Sequence, residues 1–456
     1  MEDQPTKLHI AVFPYLAFGH ITPAFHLSKL LAQKGHRISF ISTPRNIKRL
    51  PKLPTNLQTS LEIIELKLPH VDNLPDHAEA TMDIPTHIVP YLKKALDGLK
   101  EPLTKFLETS TPDCIIYDFG PYWLPPILSK LGIFHIYVSI YSGFGSYFFA
   151  NLFVTKSGER HFDESKTKAV ALKPFEEKYL GDKHLEKNES GVSDAFRFQQ
   201  TLFGADLLLV RSCMEIEGES LTLLENLYKK PVIPIGLLPS SLDFSEDKSN
   251  DDDNWCKIRK WLDTHEKNSV IYVAFGSEAF ISDEDFTEIA LGLELSGFPF
   301  LFVIKNKNSD DNRHDWFKNR LNNGLVWTNW VPQLRILAHE SVGGFLTHCG
   351  WSSVIESVQV GCPLIMLPLA NEQGLIARLM EEKMVGVKVA RNDHDGKFNR
   401  DSVAKALRSV MDKEEGKVYR SKVEEMSKIF GDMELQDKYI DDFVDSVKFH
   451  MHASKH

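Results

Sequence analysis

Residues 342–347, Val-Gly-Gly-Phe-Leu-Thr, form a short apolar run that stops at His348-Cys349-Gly350 and passes directly into a stretch of helical period over 351–358. A strand that feeds a helix through a glycine turn is the repeating unit of parallel α/β sheets, in which a crossover helix must return the chain to the starting edge of the next strand. The turn has a chemical consequence as well. A helix N-terminus presents free N–H groups and the positive end of its dipole, so His348, Ser352 and Ser353 stand where a diphosphate would lie. Glu356 lies one helical turn beyond the two serines, on nearly the same face, and its carboxylate can accept hydrogen bonds from a pair of ribose hydroxyls. A further apolar run, 362–367, closes at Pro368 before the polar Asn371-Glu372-Gln373. Ligands of open α/β sheets bind beyond the carboxyl ends of the strands, which aims Glu372 and Gln373 at the same crevice.

The strand–turn–helix theme recurs in both halves of the chain. In the first, a strand over 8–13 leads through Gly19-His20 to a helix from Thr22-Pro23 to Lys34, stopped by Gly35, and then to a strand over 37–42. Thr22 is a favourable N-cap and Pro23 a favourable first helical residue. The run 114–117 is a second strand, and Asp118 follows its end as His20 follows the first. In the second half a strand over 270–275 ends in Gly276-Ser277, followed by a helix over 283–295 and a strand over 299–304. The acidic stretch 246–254 reads as a solvated linker between them. A chain of 456 residues exceeds one compact core, and the division predicted is 1–240, 255–432 and a C-terminal helical segment, 433–456.

Charge and composition exclude several classes. A net charge of −10 argues against a nucleic-acid partner, which would require a basic surface. With 42% hydrophobic and 25% charged residues the chain has the make-up of a globular enzyme rather than of a disordered or fibrous protein. Cys114, Cys213, Cys256, Cys349 and Cys362 have neither disulfide nor zinc spacing and read as reduced thiols. The run 8–13 is too short for a signal-peptide core, and no 18-residue apolar run follows near the C-terminus, so no membrane anchor is expected and the cytoplasm is the expected location. Asp251-Asp252-Asp253 is read as part of the solvated linker, and no metal is expected. Residues 14–19 lack the Gly-x-Gly-x-x-Gly turn of a dinucleotide-binding oxidoreductase or epimerase.

From Trp330-Val331-Pro332-Gln333 through His348-Cys349-Gly350-Trp351 to Glu372-Gln373, the chain resembles the signature box of plant family 1 UDP-dependent glycosyltransferases. The resemblance implies the GT-B fold, two Rossmann-like lobes facing across a cleft, with the C-terminal helix returning to the first lobe. It implies that Trp330 stacks on uracil, that Gln333 and Glu356 hold ribose, that Ser277, His348 and Ser353 bind phosphates, and that Trp351, Glu372 and Gln373 contact the sugar. Gly19, Val331, Gly350 and Ser352 complete the implied donor set. The family usually has Asn at the position of Ser352 and often Asp at that of Glu372. Phe18-Gly19-His20 and Tyr117-Asp118-Phe119 match the family's catalytic positions. The implied reaction is a direct displacement with inversion, in which His20 deprotonates an acceptor hydroxyl, Asp118 steadies His20, and UDP leaves. A UDP-sugar is the co-substrate, no cofactor is held permanently, and a monomer is expected.

For the acceptor, Tyr122, Phe144 and Phe148 belong to an aromatic-rich stretch that can form a wall on a helix, and Ser139 and Ser142 are candidate sugar contacts. Segments 82–85, 91–95 and 234–238 resemble the plant branch that adds a further sugar to flavonoid, saponin or diterpenoid glycosides. The acceptor hydroxyl then belongs to a sugar already attached. Gln373 is associated in the family with glucose, which makes UDP-glucose the preferred donor and UDP-rhamnose the alternative. A non-catalytic nucleotide-sugar sensor is the remaining alternative.

Overall fold

The computed structural model describes residues 7–156, 172–180, 184–242, 253–276, 281–304, 323–370 and 372–453. They divide into two compact units, one built from residues 7–156, 184–238 and 434–453, the other from 172–180 and the described residues between 239 and 433. Ser277, Asn371 and the linker residues 246–252, Asp251 and Asp252 among them, lie outside the described residues. Asp253 is the first residue of the helix Asp253–Leu262.

Among the described residues of the first unit, seven strands form one sheet: β1 (His9–Phe13), β2 (Arg37–Ser42), β3 (Leu61–Glu65), β4 (Cys114–Tyr117), β5 (Phe134–Ser139), β6 (Leu207–Val210) and β7 (Val232–Pro234). Their order is β3-β2-β1-β4-β5-β6-β7, and every pairing is parallel. The chain moves outward from β1 to one edge, then returns to start the other side at β4. The topological switch point therefore lies between β1 and β4, whose last residues, Phe13 and Tyr117, are register partners. A crevice opens at the carboxyl ends of such strands. His20 follows β1 and Asp118 follows β4.

The second unit repeats this plan with β8 (Val270–Ala274), β9 (Phe300–Val303), β10 (Gly324–Trp327), β11 (Val342–Thr347), β12 (Leu364–Met366) and β13 (Gly386–Lys388). The order is β10-β9-β8-β11-β12-β13, again parallel, with the switch between β8 and β11 where Ala274 pairs Thr347. Gly276 follows one of those strands and His348 the other. Strands covered on both faces must be apolar throughout, which is why β4, β8 and β11 are buried at every position. The helices Asp283–Ser296 and Arg400–Met411 supply Ile289, Leu293, Val403 and Leu407 to the core beside β8 and β9.

The C-terminal helix Met433–Ala453 packs into the first unit, where Ile440, Phe443, Val444 and Val447 join the core containing β1 and the helix after it. Polar contacts fix its register. Gln436 accepts the Leu237 N–H at 2.6 Å, Tyr439 accepts the Met214 N–H and donates to Glu215, each at 2.8 Å, and Lys34 pairs with Asp437 and Asp441. Phe443 is fully buried, so Phe443→Ala should cost about 3–5 kcal/mol in urea unfolding of this unit. A loss below about 1 kcal/mol would mean that the helix is not part of the core.

Two sequence expectations are corrected. The helix after β1 begins at Phe18 rather than Thr22, with Ala17 as an extended N-cap and Pro23 inside. The Ala17 carbonyl already accepts the N–H groups of His20 and Ile21 at 2.9 Å, and Pro23 forfeits only the bond to Gly19. His20 thus stands in the first helical turn. Residues 172–180, assigned by sequence to the first domain, pack on the second. Glu176 takes Arg378 Nη1 on both carboxylate oxygens at 2.9 and 2.8 Å, and Arg391 lies 5.8 Å from the Phe175 ring. Among the described residues, no helix is long and apolar enough to cross a membrane.

Candidate functional site

In the first unit the switch point brings a histidine and an aspartate together across 98 residues of chain. His20 Nδ1 lies 2.8 Å from Asp118 Oδ2, and both side chains are buried. Asp118 is itself anchored: Oδ2 accepts the Tyr15 N–H at 2.8 Å and Oδ1 the Gly120 N–H at 3.3 Å. An acceptor-only carboxylate on Nδ1 selects the tautomer with the proton on Nδ1, leaving Nε2 as a base. Aromatic rings bound the imidazole, with centroids at 5.5 Å for Tyr15, 5.7 Å for Phe119 and 6.2 Å for Tyr141. Gly19 has open space where a side chain would project.

In the second unit the β11 turn is held by an unusual backbone. Cys349 has φ of +68°, and its N–H bonds the Thr347 hydroxyl at 3.3 Å. Gly350 is the extended N-cap of the helix Trp351–Gln359 and makes no side-chain cap bond, and a helix start of this kind is the end that favours an anion. The His348 ring is wedged between two glycines: a Cβ on Gly276 would lie 2.8 Å from it, and one on Gly350 2.7 Å. Gly276 also has φ of +74°, which disfavours any side chain. Gly276→Ala should displace the imidazole and raise the KM for the donor roughly tenfold, the value of one strong hydrogen bond. An unchanged KM would mean that His348 does not touch the donor.

His348 Nδ1 is buried with no partner among the described residues. Burial pushes this imidazole down to about 4, so at neutral pH it is an uncharged hydrogen-bonding group rather than a counter-ion. Affinity for a UDP-sugar, whose diphosphate is fully ionised, should then stay within about twofold between pH 6 and 8. A tenfold fall as pH rises through that window would identify an imidazolium instead.

The implied ribose ligands meet directly. Gln333, first residue of the helix Gln333–Leu337, donates Nε2 to Glu356 Oε2 at 2.7 Å and to Ser353 Oγ at 3.3 Å. Sequence reading missed Tyr272, whose hydroxyl donates to Gln333 Oε1 at 3.4 Å from within β8. Burial, with the Glu356 carboxylate nearby, pushes that phenol well up and keeps it a donor. A lone tyrosine in an apolar strand was the available signal. Beside this group the Trp330 indole is 74% exposed, a large apolar face left open to a ligand, whereas Val331 is buried. Ser352 sits half-buried in the first turn of the helix Trp351–Gln359. Glu372 is buried at the N-cap of the helix Gln373–Glu382. Gln373 Oε1 accepts the N–H groups of Leu369 and Ala370 at 2.8 and 2.9 Å, turning its amide nitrogen into the available end.

Several expected contacts are placed otherwise. Trp351 is 4% exposed and its indole meets Phe430 edge-on at 6.3 Å, so the ring is taken up in packing rather than offered to a sugar. Ser139 and Ser142 are buried in helix-start bonding: Ser139 Oγ lies 2.7 Å from Ser146 Oγ, and Ser142 Oγ accepts the Gly145 N–H at 3.0 Å. The reason is the buried carboxylate of Glu217, which takes the Gly143 and Phe144 N–H groups at 2.8 Å each and fixes the start of the helix Gly143–Lys156. Phe144 and Phe148 are buried with Phe149 and Phe153 in packing, while Tyr122 covers the Arg197 guanidinium at 4.9 Å. Of that stretch, Tyr141 is the ring beside His20.

Comparison with known proteins bears on these two sites. Residues 213–453 match the family described as UDP-glucoronosyl and UDP-glucosyl transferase, and residues 6–114 match a glycosyltransferase N-terminal domain. UDP-glycosyltransferase 91A1 of Arabidopsis thaliana is 45% identical, covering 96% of both chains. The soyasaponin III rhamnosyltransferase of Glycine max is 41% identical over 98% of this chain and 96% of its own. The fold is similar to that of Glycyrrhiza uralensis UGT73P12 complexed with glycyrrhetinic acid 3-O-monoglucuronide, with TM-score 0.76, 23% identity and coverage of 98% and 97%. It is also similar to Arabidopsis thaliana UGT89C1 complexed with UDP-L-rhamnose, with TM-score 0.75, 21% identity and coverage of 97% and 100%.

Proposed function

The chain belongs to the plant UDP-glycosyltransferase family, an enzyme family of GT-B fold that moves sugar from a UDP-sugar to a specialised metabolite, and from that premise we propose a specific reaction for it. It transfers glucose from UDP-glucose, with inversion, to a sugar hydroxyl of an existing plant glycoside. The observation that carries the chemistry is the 2.8 Å bond between His20 Nδ1 and a twice-anchored Asp118.

In the proposed step, Nε2 of His20 takes the acceptor proton as the acceptor oxygen bonds to the anomeric carbon. The bond from that carbon to the diphosphate oxygen breaks, and its electron pair leaves with UDP. Asp118 stabilises the imidazolium that forms. Charge gathers on the diphosphate, and the start of the helix Trp351–Gln359, with His348 and Ser353, stabilises it. Gln333 and Glu356 hold ribose, Trp330 takes uracil, and Glu372 and Gln373 contact the hexose. Tyr141 and Phe119 flank the acceptor hydroxyl. Five free cysteines, four of them buried, support work in the reducing cytosol.

A rhamnose donor is the second reading, favoured by the 41% identity to a saponin rhamnosyltransferase. Incubation with UDP-glucose or UDP-rhamnose and a panel of flavonoid, triterpenoid and diterpenoid glycosides, with UDP release as the readout, separates the two. Release with UDP-glucose and a glycoside supports the first reading, and release only with UDP-rhamnose supports the second. Tight UDP binding with no release from any pair would make the protein a sensor.

A further inference from the structure

Behind the His20–Asp118 pair lies a buried ion pair that the proposed chemistry does not use. Arg197, on the helix Asp194–Gly204, is 0% exposed, and its guanidinium meets the carboxylate of Asp97, the last residue of the helix Val89–Asp97, through both terminal nitrogens. Asp97 also accepts the Trp123 indole N–H at 3.2 Å. The Arg197 nitrogen that bonds Asp97 Oδ1 at 2.8 Å donates to the Gly120 carbonyl at 2.9 Å as well. The N–H of that same Gly120 bonds Asp118 Oδ1.

An internal ion pair is a poor way to stabilise a core, because desolvation offsets most of the attraction and apolar residues of similar volume often serve better. Arg197 also leaves Nε buried without a partner among the described residues, a further cost. What the pair does provide is a fixed donor for one residue: Asp97 holds both terminal nitrogens of Arg197, and one of them donates to the Gly120 carbonyl. Gly120 is also closely packed, since a Cβ there would lie 2.9 Å from Leu96 and 3.0 Å from Tyr15. The Tyr122 ring closes over the guanidinium, and the Tyr122 N–H bonds the Gly120 carbonyl at 3.1 Å.

We propose that Asp97 and Arg197 are positioning residues for catalysis: by holding Gly120 at its carbonyl they set its N–H, and with it the carboxylate of Asp118, at the angle from which that carboxylate orients His20. This rests on His20 acting as the base, as proposed above. Lysine can reach Asp97 or the Gly120 carbonyl but lacks the planar fork that spans both. Arg197→Lys should therefore lower kcat by about tenfold while the donor KM stays within about twofold. In an Asp118→Asn background the same change should lower kcat by less than about twofold, since the group it positions is already impaired.

The His20 Nδ1 proton gives a readout apart from activity. Its NMR resonance should lie downfield in the wild type because of the bond to Asp118, and should move upfield in Arg197→Lys and in Asp97→Asn. The second variant keeps a hydrogen-bonding side chain and serves if the first fails to fold. An equal kcat loss in both backgrounds, or an unmoved resonance, overturns the positioning role. His20→Ala in the same assay isolates the underlying premise, because full activity there sinks the base itself whatever Arg197 does.

Discussion

Replacing His20 with alanine is expected to slow sugar transfer by roughly 10²- to 10⁴-fold, the range that a positioned general base contributes, with donor affinity within about twofold of wild type. The split follows from the architecture. His20 stands at the switch point of the first sheet, whereas the residues assigned to the donor belong to the second unit. Removing the imidazole therefore removes an interaction made in the transition state and spares ground-state binding of the UDP-sugar, which lowers kcat without raising the donor KM. Asp118→Asn should fall between the two enzymes. Asparagine can still bond Nδ1, but it no longer stabilises the imidazolium. Single-turnover rates with saturating UDP-glucose and a glycoside acceptor measure this, and a His20→Ala rate within about threefold of wild type would remove the base from the mechanism.

Replacing Glu356 with alanine is expected to raise the donor KM by roughly 10- to 100-fold, corresponding to about 1.5–3 kcal/mol for hydrogen bonds to a charged group. The effect exceeds that of one lost contact because Glu356 also holds Gln333 at 2.7 Å. Without the carboxylate, the Gln333 amide loses its strongest partner and keeps only the longer bonds to Ser353 and Tyr272, at 3.3 and 3.4 Å. Two residues proposed to hold ribose are thus disturbed by one substitution. Titration calorimetry with UDP alone checks this, since UDP contains the ribose and omits the hexose. UDP affinity unchanged in Glu356→Ala would place the ribose elsewhere, while a loss seen with UDP-glucose and not with UDP would reassign Glu356 to the sugar.

Much of this was legible in the chain because strand and helix periods are local. The runs 114–117 and 342–347 are apolar at nearly every position and became β4 and β11 with those same limits, since a strand covered on both faces has no polar side. The start of the helix Phe18–Gln33 was not legible. Thr22-Pro23 carries the usual start signal, yet the chain enters the helix earlier through the extended Ala17, a choice made by packing against the sheet rather than by a cap. Residues 172–180 were misplaced because the contacts that seat them are remote: Glu176 and Arg378 are 202 residues apart. Ser139 and Ser142 resemble sugar contacts until the Glu217 carboxylate, more than 70 residues away, is seen to organise that helix start. The His20–Asp118 bond spans 98 residues, and family resemblance, not spacing, brought the pair to notice.

The proposal that an Asp118-held imidazole drives one direct displacement fixes the stereochemistry of the product. With UDP-α-glucose as donor and a glycoside as acceptor, the anomeric proton coupling of the newly formed linkage should report the β configuration from the first turnover, before any secondary reaction. A product of α configuration would require two successive displacements or front-face attack, and would contradict a mechanism in which His20 acts only as a base.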